Sequence, residues 1–234
     1  MNAIPHFDCS WVSIKGFDQA ENRDAGGVFA CGTYTFAVIM DASGHGTKAI
    51  SFTAIWLKAL LALLPESTPT ADSVVQLMRE AHQKLREARL FQERACFAAL
   101  LIPHDRSPCT AFISGDCRIG SQPKVEEVHW LTPVHTLEAA SAKVFNDVGG
   151  LVNRQLVTRV LKARRFDPPE LMQLSHDIGQ AWILATDGFW RSDCSAEKLP
   201  SDDCSFLRLH HEGTSSVQQH HDDDNLHLVG IYAT

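Results

Sequence analysis

The sequence predicts an α+β protein with antiparallel sheets, and the order of its segments carries the prediction. Apolar segments of strand length dominate the second half of the chain, while two helical segments lie next to each other before them. Strands and helices therefore do not alternate as they do in proteins built from βαβ units. A chain of 234 residues, 44% of them apolar, suffices for one core, so we assign residues 1–234 to a single domain.

The first predicted elements are a buried strand and two helices. Residues 33–40 (TYTFAVIM) combine the β-branched and aromatic residues that strands favour. Residues 47–64 form an apolar segment that Lys58 interrupts and Pro65 ends, which predicts a core helix rather than a membrane span. A second helix begins at the sequence PTADS, because apolar residues then recur at helical spacing over residues 74–88.

Most of the remaining chain is predicted to form strands. An antiparallel meander crosses the turns HDRS and SQP and comprises residues 95–103, 109–116, 117–120 and 124–132. Short helices are predicted at residues 137–145 and 153–161, and core strands at residues 181–190 and 225–233. A polar surface loop, EGTSSVQQ, is flanked by His210, His211, His220 and His221.

Charge and cysteine content limit the class of protein. The chain has 21 basic and 28 acidic residues, for a net charge of −7, which argues against a general nucleic-acid binder because phosphate affinity requires a basic surface. Its seven cysteines include no CxxC pair, so we expect reduced thiols. The first residues, MNAIPHFDCSW, lack the pattern of a secretory signal. We therefore expect a cytoplasmic protein.

Aspartates lie at five predicted strand boundaries. Asp41 ends the strand at residues 33–40, and the loop SGHG follows it almost without side chains. The others are Asp24, Asp116, Asp187 and Asp224. Each could simply cap a turn whose glycines supply the required backbone conformation. If they converge on one end of a sheet, cations must offset their repulsion, and an oxygen-only cluster suits Mg²⁺ or Mn²⁺. Spacing alone leaves both alternatives open.

The order of these motifs resembles the metal-dependent protein phosphatases, the PPM or type 2C Ser/Thr phosphatase family, in its bacterial form. The resemblance covers residues 13–233 and begins with SIKGFDQAENRDA and FAVIMDASGHGTKA. ISGDCRIG, WLTPVHTLEAA, LVTRVL, ILATDGFW and DDNLHLVGI then follow in the family's order. The resemblance implies a four-layer α/β/β/α sandwich, in which two antiparallel sheets are flanked by helices.

The resemblance also implies a metal centre. Asp41 would bridge two Mg²⁺ or Mn²⁺ ions, and the backbone carbonyl of Ala42 would bind one of them. Asp187 and Asp224 would complete the ligands of the other ion. Two such ions activate a water molecule for attack on a phosphate monoester. The implied catalytic residues are therefore Asp41, Asp187 and Asp224.

Two further aspartates receive supporting roles from the resemblance. Asp24 would act through water bound to an ion, and Asp116 would help Asp187 to hold a weaker third ion. The implied substrate is a protein that carries phosphoserine or phosphothreonine, and the implied partner is an opposing Ser/Thr kinase. His45 could donate a proton beside the site or could simply begin the helix that follows.

The phosphate-binding position departs from the family, because Gln19 stands where an arginine is usual. Glutamine can donate a hydrogen bond but cannot make a charged, bidentate contact with phosphate. Lys15 or Arg23 could take over this role, although such residues are more often solvated surface charges. Near the third ion, Arg191 stands where the family has an acidic residue.

These departures keep a second hypothesis open. The chain could be a phosphatase-fold module of weak or no activity that binds a phosphoprotein or regulates a signalling partner. Gln19 favours that alternative, whereas Asp41, Asp187 and Asp224 favour the enzyme, because clustered like charges are costly without a metal.

Overall fold

Two stacked β-sheets form the centre of the protein. The computed structural model describes residues 7–43, 48–123, 127–144, 156–175, 180–191, 200–211, 216–221 and 224–230. In chain order the strands are β1 (Phe7–Ile14), β2 (Asp24–Ala30), β3 (Tyr34–Ser43), β4 (Arg94–Pro103), β5 (Cys109–Ser114), β6 (Arg118–Pro123), β7 (His129–Trp130), β8 (Leu161–Lys162), β9 (Glu170–Leu174), β10 (Gln180–Ala185), β11 (Cys204–His211), β12 (Val217–His221) and β13 (Leu226–Gly230). The helices are α1 (Ala49–Leu63), α2 (Ala71–Glu87), α3 (Leu137–Val144) and α4 (Asp187–Trp190).

The strands divide into a six-stranded sheet and a seven-stranded sheet. The six-stranded sheet has the order β12-β1-β11-β10-β6-β7. The seven-stranded sheet has the order β13-β2-β3-β4-β5-β9, and the short β8 also pairs with β4. Helix α1 packs on the seven-stranded sheet and α2 packs on α1. The expected arrangement of two stacked sheets flanked by helices is confirmed.

Strand β3 is buried on both faces because each face meets a different apolar layer. Phe36, Val38 and Met40 pack in the core beneath α1. Ala37 and Ile39 point the other way, into the core between the two sheets. Side chains alternate along a strand, so Asp41 continues the face that Ala37 and Ile39 begin. The uninterrupted apolar pattern of β3 is therefore the pattern of a strand between two layers.

Both sheets are mostly antiparallel, as expected, but each also contains one parallel pair among the described strands. Strand β12 pairs in parallel with β1, and β13 pairs in parallel with β2. In each case a strand from the C-terminal region lies at the edge of a sheet beside a strand from the N-terminal region. The apolar pattern of a segment does not encode the direction in which it enters a sheet, so this feature depends on the tertiary arrangement.

The predicted meander is also corrected, since β5 and β6 belong to different sheets. Residues between them cross from one sheet to the other, and Gly115 begins the crossing with a φ of +106°. A Cβ atom at Gly115 would clash with the Sγ and Cβ atoms of Cys96, so the close approach excludes any side chain. The sequence indicated a turn here but not a change of sheet.

Two other local predictions differ from the structure. Residues 156–161 of the predicted helix at 153–161 are not helical, because their backbone bonds to another segment: Leu137 N donates to Leu156 O, and Thr158 N donates to His135 O. Part of the polar segment EGTSSVQQ forms the edge strand β12 rather than a loop. In the described ranges, no helix is long and apolar enough to cross a membrane.

Candidate active site

A cavity of about 350 Å³ opens where the two sheets end, and carboxylates line it. Asp41, Asp116, Asp187, Asp202 and Asp203 all contribute to its wall. Three of the five predicted aspartates, Asp41, Asp116 and Asp187, therefore come together from the end of β3, the β5–β6 crossing and the start of α4. The sheet ends are rigid, which is the feature that a precisely aimed set of ligands requires.

Asp41 and Asp24 lie opposite each other on neighbouring strands. They are register partners in the antiparallel pair of β3 and β2, so their side chains share one face. Asp24 is buried, and its Oδ2 atom accepts a 2.9 Å hydrogen bond from Thr186 Oγ1. The other oxygen, Oδ1, is buried and has no hydrogen-bond partner among the residues that the structure describes. Such an atom is costly to bury, so this oxygen suits a cationic ligand.

Burial and mutual repulsion raise the pKa of both carboxyl groups. The pKa of Asp41 is raised first by desolvation and then by the nearby charges of Asp24, Asp187 and Asp116. The pKa of Asp24 is raised by desolvation and then by the charge of Asp203. A cation between these groups would remove the repulsion and favour their charged forms.

Asp187 begins α4 at the end of β10. Desolvation, followed by the charge of Asp116, raises its pKa to about 6, although the charge of Arg191 acts in the opposite direction. Thr186, immediately before it, makes the hydrogen bond to Asp24. The sequence ILATDGFW therefore places Asp187 in the cavity and, through the Thr186 hydrogen bond, contacts the buried Asp24 behind it.

Arg191 lies between Asp187 and Asp116. Its Nη1 atom is 3.3 Å from Asp187 Oδ2, and its Nη2 atom is 3.3 Å from Asp116 Oδ2. The indole of Trp190 fixes the same segment by donating a 2.8 Å hydrogen bond to the carbonyl oxygen of Asp116. The two carboxylates that the resemblance assigned to a third ion thus share a guanidinium group.

Asp202 and Asp203 are functional candidates that the sequence reasoning missed. Asp203 accepts hydrogen bonds from the backbone N–H groups of Gly16 (2.9 Å) and Arg23 (2.8 Å), which places its carboxylate beside the start of β2. Desolvation raises its pKa. The available signal was the same as for Asp41, since the pair directly precedes the buried strand β11.

Asp224 does not join this group in the structure, and its assignment as a metal ligand stays a prediction. It is exposed and does not line the cavity. Its neighbour Asn225 takes the inward position, where it accepts a hydrogen bond from Trp11 and donates to Ser13 Oγ and Asp24 O. The pKa of His227 is lowered by burial and by the charge of Lys58 on α1, and the charge of Asp224 acts in the opposite direction. The outward direction follows from the alternation of side chains along the chain.

Gln19 lines the cavity, but its amide is already engaged. Its Nε2 atom donates a 3.0 Å hydrogen bond to Asp202 Oδ1. Lys15 holds the same loop in place by donating to Gln19 O at 2.7 Å. Of the two cations considered as substitutes for the family's arginine, only Arg23 lines the cavity. His45 lies outside the described residues.

The donor set fits a hard divalent cation. The candidate ligands are carboxylate oxygens, Asp24 and Asp41 are register partners on one face of the sheet, and Asp24 Oδ1 is buried with no hydrogen-bond partner among the described residues. Within the described residues, however, no group of three or more His, Cys, Asp or Glu side chains is already arranged around a common ion position.

Comparison with solved structures identifies the fold, whereas neither protein-family models nor curated proteins give a match. The S. agalactiae serine/threonine phosphatase superposes with a TM-score of 0.71 at 15% identity, covering 88% of this chain and 100% of its own. The PPM Ser-Thr phosphatase MsPP of Mycobacterium smegmatis superposes with a TM-score of 0.70 at 16% identity, covering 87% of this chain and 97% of its own.

A third structure shows a metal-bound relative of the same fold. The catalytic domain of the serine/threonine protein phosphatase PstP, in complex with two manganese ions, gives a TM-score of 0.63 at 16% identity and covers 87% of this chain and 97% of its own. At such identities a superposition establishes the fold. The protein therefore has the fold of the bacterial PPM-type Ser/Thr phosphatases.

Proposed function

We propose that this protein is a Mg²⁺- or Mn²⁺-dependent phosphatase that hydrolyses phosphoserine or phosphothreonine in a protein substrate. The observation that carries the proposal is that Asp41 and Asp24 are register partners at the end of the β2–β3 ladder. Asp41 lines the cavity together with Asp187 and Asp203, and the charge of Asp203 also acts on Asp24. The manganese-bound PstP domain, which has the same fold, supports the choice of ion.

Each carboxylate has a role that follows from its position. Asp41, half-buried and facing the cavity, would be a central ligand, and the carbonyl of the adjacent Ala42 would be the backbone ligand that the resemblance implies. Asp187, at the start of α4, and Asp203, just before β11, would supply further ligands. Asp203 thereby takes the role that the sequence reasoning gave to Asp224. Asp24 offers its unpartnered oxygen from behind the cluster.

When bound, two divalent ions lower the pKa of a water molecule and offset the charge of the phosphoryl group. The protein's own contribution is to hold the ligands rigidly at the ends of the sheets. Arg191 holds Asp116 and Asp187 in place, because it donates toward one oxygen of each. On this proposal Arg191 serves in place of a third ion.

A second candidate, a phosphoprotein-binding module without activity, is favoured by two observations. Gln19 is bonded to Asp202 rather than free to bind phosphate, and Arg191 occupies one side of Asp187. An assay with p-nitrophenyl phosphate distinguishes the two candidates. We expect Mn²⁺-dependent turnover that EDTA abolishes and that is absent from Asp41→Asn. Mn²⁺ binding without any turnover of p-nitrophenyl phosphate or a phosphothreonine peptide would establish the module instead.

As an enzyme of this class, the protein would act in the cytoplasm and oppose a Ser/Thr kinase in a signalling system. This part of the proposal rests on the chemistry of the substrate, since phosphorylated serine and threonine residues must be produced by a kinase. Deletion of the gene followed by measurement of phosphoserine and phosphothreonine in cell extracts would test it. We expect phosphorylation to rise at a limited set of proteins.

A further inference from the structure

We propose that Arg94 and Lys162 form a subsite for an acidic group of the substrate, next to the phosphorylated residue. The inference rests on the proposed phosphatase function and specifies its substrate as a phosphoprotein with acidic residues beside the phosphorylation site. Both residues line the same cavity as the carboxylates. We refer to Arg94 and Lys162 as the cationic pair.

The pairing of β4 with β8 places the two cations side by side. Arg94 and Lys162 are register partners in this short antiparallel ladder, so their Cβ atoms are about 5 Å apart on one face. Both side chains are exposed, and neither has an ion-pair partner among the described residues. Like charges directly opposite each other destabilise a sheet. An anion bound between them would remove this cost.

The strand alternation directs the cationic pair toward the cavity. Arg94 lies opposite Ser43, and two residues further along the same ladder Cys96 lies opposite Asp41. The intervening Ala95 belongs to the core beneath α1, so Arg94 shares the face of Cys96 and Asp41. Two residues of strand span roughly 7 Å. The cationic pair therefore lies one side-chain length outward from the proposed reaction centre.

This distance suits a group adjacent to the phosphoryl group rather than the phosphoryl group itself. Neighbouring side chains of an extended peptide lie about 3.4 Å apart along the chain, so an acidic residue one or two positions away reaches the cationic pair. The pair also has an electrostatic role, because an acidic protein of net charge −7 otherwise repels acidic peptides. Local cations at the mouth of the cavity permit their approach.

The test compares two phosphothreonine peptides that differ only in glutamates or glutamines beside the phosphorylated residue. In Arg94→Ala and Lys162→Ala, we expect KM for the acidic peptide to rise about tenfold with little change in kcat. Turnover of the neutral peptide and of p-nitrophenyl phosphate should remain as in the wild type. In the double variant Arg94→Glu with Lys162→Glu, the neutral peptide should become the better substrate. Arg86→Ala on α2 is the matched control, since Arg86 is exposed and lies outside the cavity.

A binding measurement keeps this inference separate from the proposed function. Fluorescence anisotropy in the presence of Mn²⁺ uses the same two peptides with a difluoromethylene phosphonate in place of the phosphate, which resists hydrolysis. If the wild type hydrolyses neither peptide, the proposed function is wrong. Even then, tighter binding of the acidic analogue that is lost in Arg94→Ala would support the subsite. Equal effects of the variants on both peptides, or no effect on either, would overturn it.

Discussion

The aspartates of this protein show how strongly the role of a residue depends on the direction of its side chain. Asp41, Asp187 and Asp224 all lie at strand boundaries and looked equivalent in the sequence. In the structure, Asp41 and Asp187 face the cavity, whereas Asp224 faces the surface near His227. Asp203, which precedes β11, faces the cavity edge and accepts two backbone hydrogen bonds.

This difference gives a prediction at the residue scale. We expect Asp203→Asn to weaken Mn²⁺ binding by at least about tenfold, because the amide replaces a charged ligand beside Asp24. Titration calorimetry of the two variants Asp203→Asn and Asp224→Asn measures the effect, and the second serves as the matched control. If Asp224→Asn loses Mn²⁺ affinity while Asp203→Asn keeps it, the assignment made from the structure is wrong.

At the scale of elements, the crossing between β5 and β6 positions Asp116 and depends on Gly115. The positive φ of Gly115 is strained for any residue with a side chain, and Cys96 fills the space where a Cβ would lie. The crossing also receives hydrogen bonds from outside, since His135 N donates to Gly115 O and Gly115 N donates to His135 Nδ1. The turn is therefore fixed on all sides.

We expect Gly115→Ala to lower the free energy of unfolding by about 1–3 kcal/mol or more, through backbone strain and a clash with Cys96. Urea unfolding followed by circular dichroism measures the change. Gly32→Ala is the control, because a Cβ at Gly32 meets no atom within 4 Å. Equal stability of the two variants would show that the crossing can relax, and the argument for its rigidity would fail.

At the scale of the whole molecule, the metal-free protein carries repulsion between carboxylates at the ends of both sheets. The pKa of Asp187 rises from 3.8 to about 6, and the pKa values of Asp24 and Asp41 also rise. Between the unfolded and folded pKa values the native state binds more protons than the unfolded state, so stability falls as the pH rises through this window. This loss of stability is complete once the pH exceeds the pKa of the folded state.

We therefore expect the Tm of the protein in EDTA to fall between pH 4 and pH 7, and Mn²⁺ to raise it at pH 7. A ligand that binds only the folded state stabilises by about 2.7 kcal/mol at a hundredfold excess over Kd. Differential scanning calorimetry at several pH values, with and without Mn²⁺, tests both parts, and Asp187→Asn should flatten the dependence on pH. A Tm that is indifferent to millimolar Mn²⁺ at pH 7 would count against the metal site.

Composition and local pattern determined much of this protein. The uninterrupted apolar segment at β3, the helical spacing in α2 and the aspartate at the end of β3 are all local features, and each is found where the sequence placed it. Thr70 caps α2 by accepting a hydrogen bond from Ser73 N, as the sequence PTADS indicated. These elements could be predicted because their causes lie within a few neighbouring residues.

Only the tertiary structure decided which strands share a sheet and which carboxylates face the cavity. The parallel pairing of β13 with β2 joins residues about 200 positions apart, and it turns Asn225 inward and Asp224 outward. The guanidinium of Arg191 likewise reaches Asp116 across the gap between two elements. A strand boundary in the sequence specifies that a carboxylate is near an end of a sheet, but the direction and register of pairing determine which face it occupies, because side chains alternate and a shift of one residue reverses them.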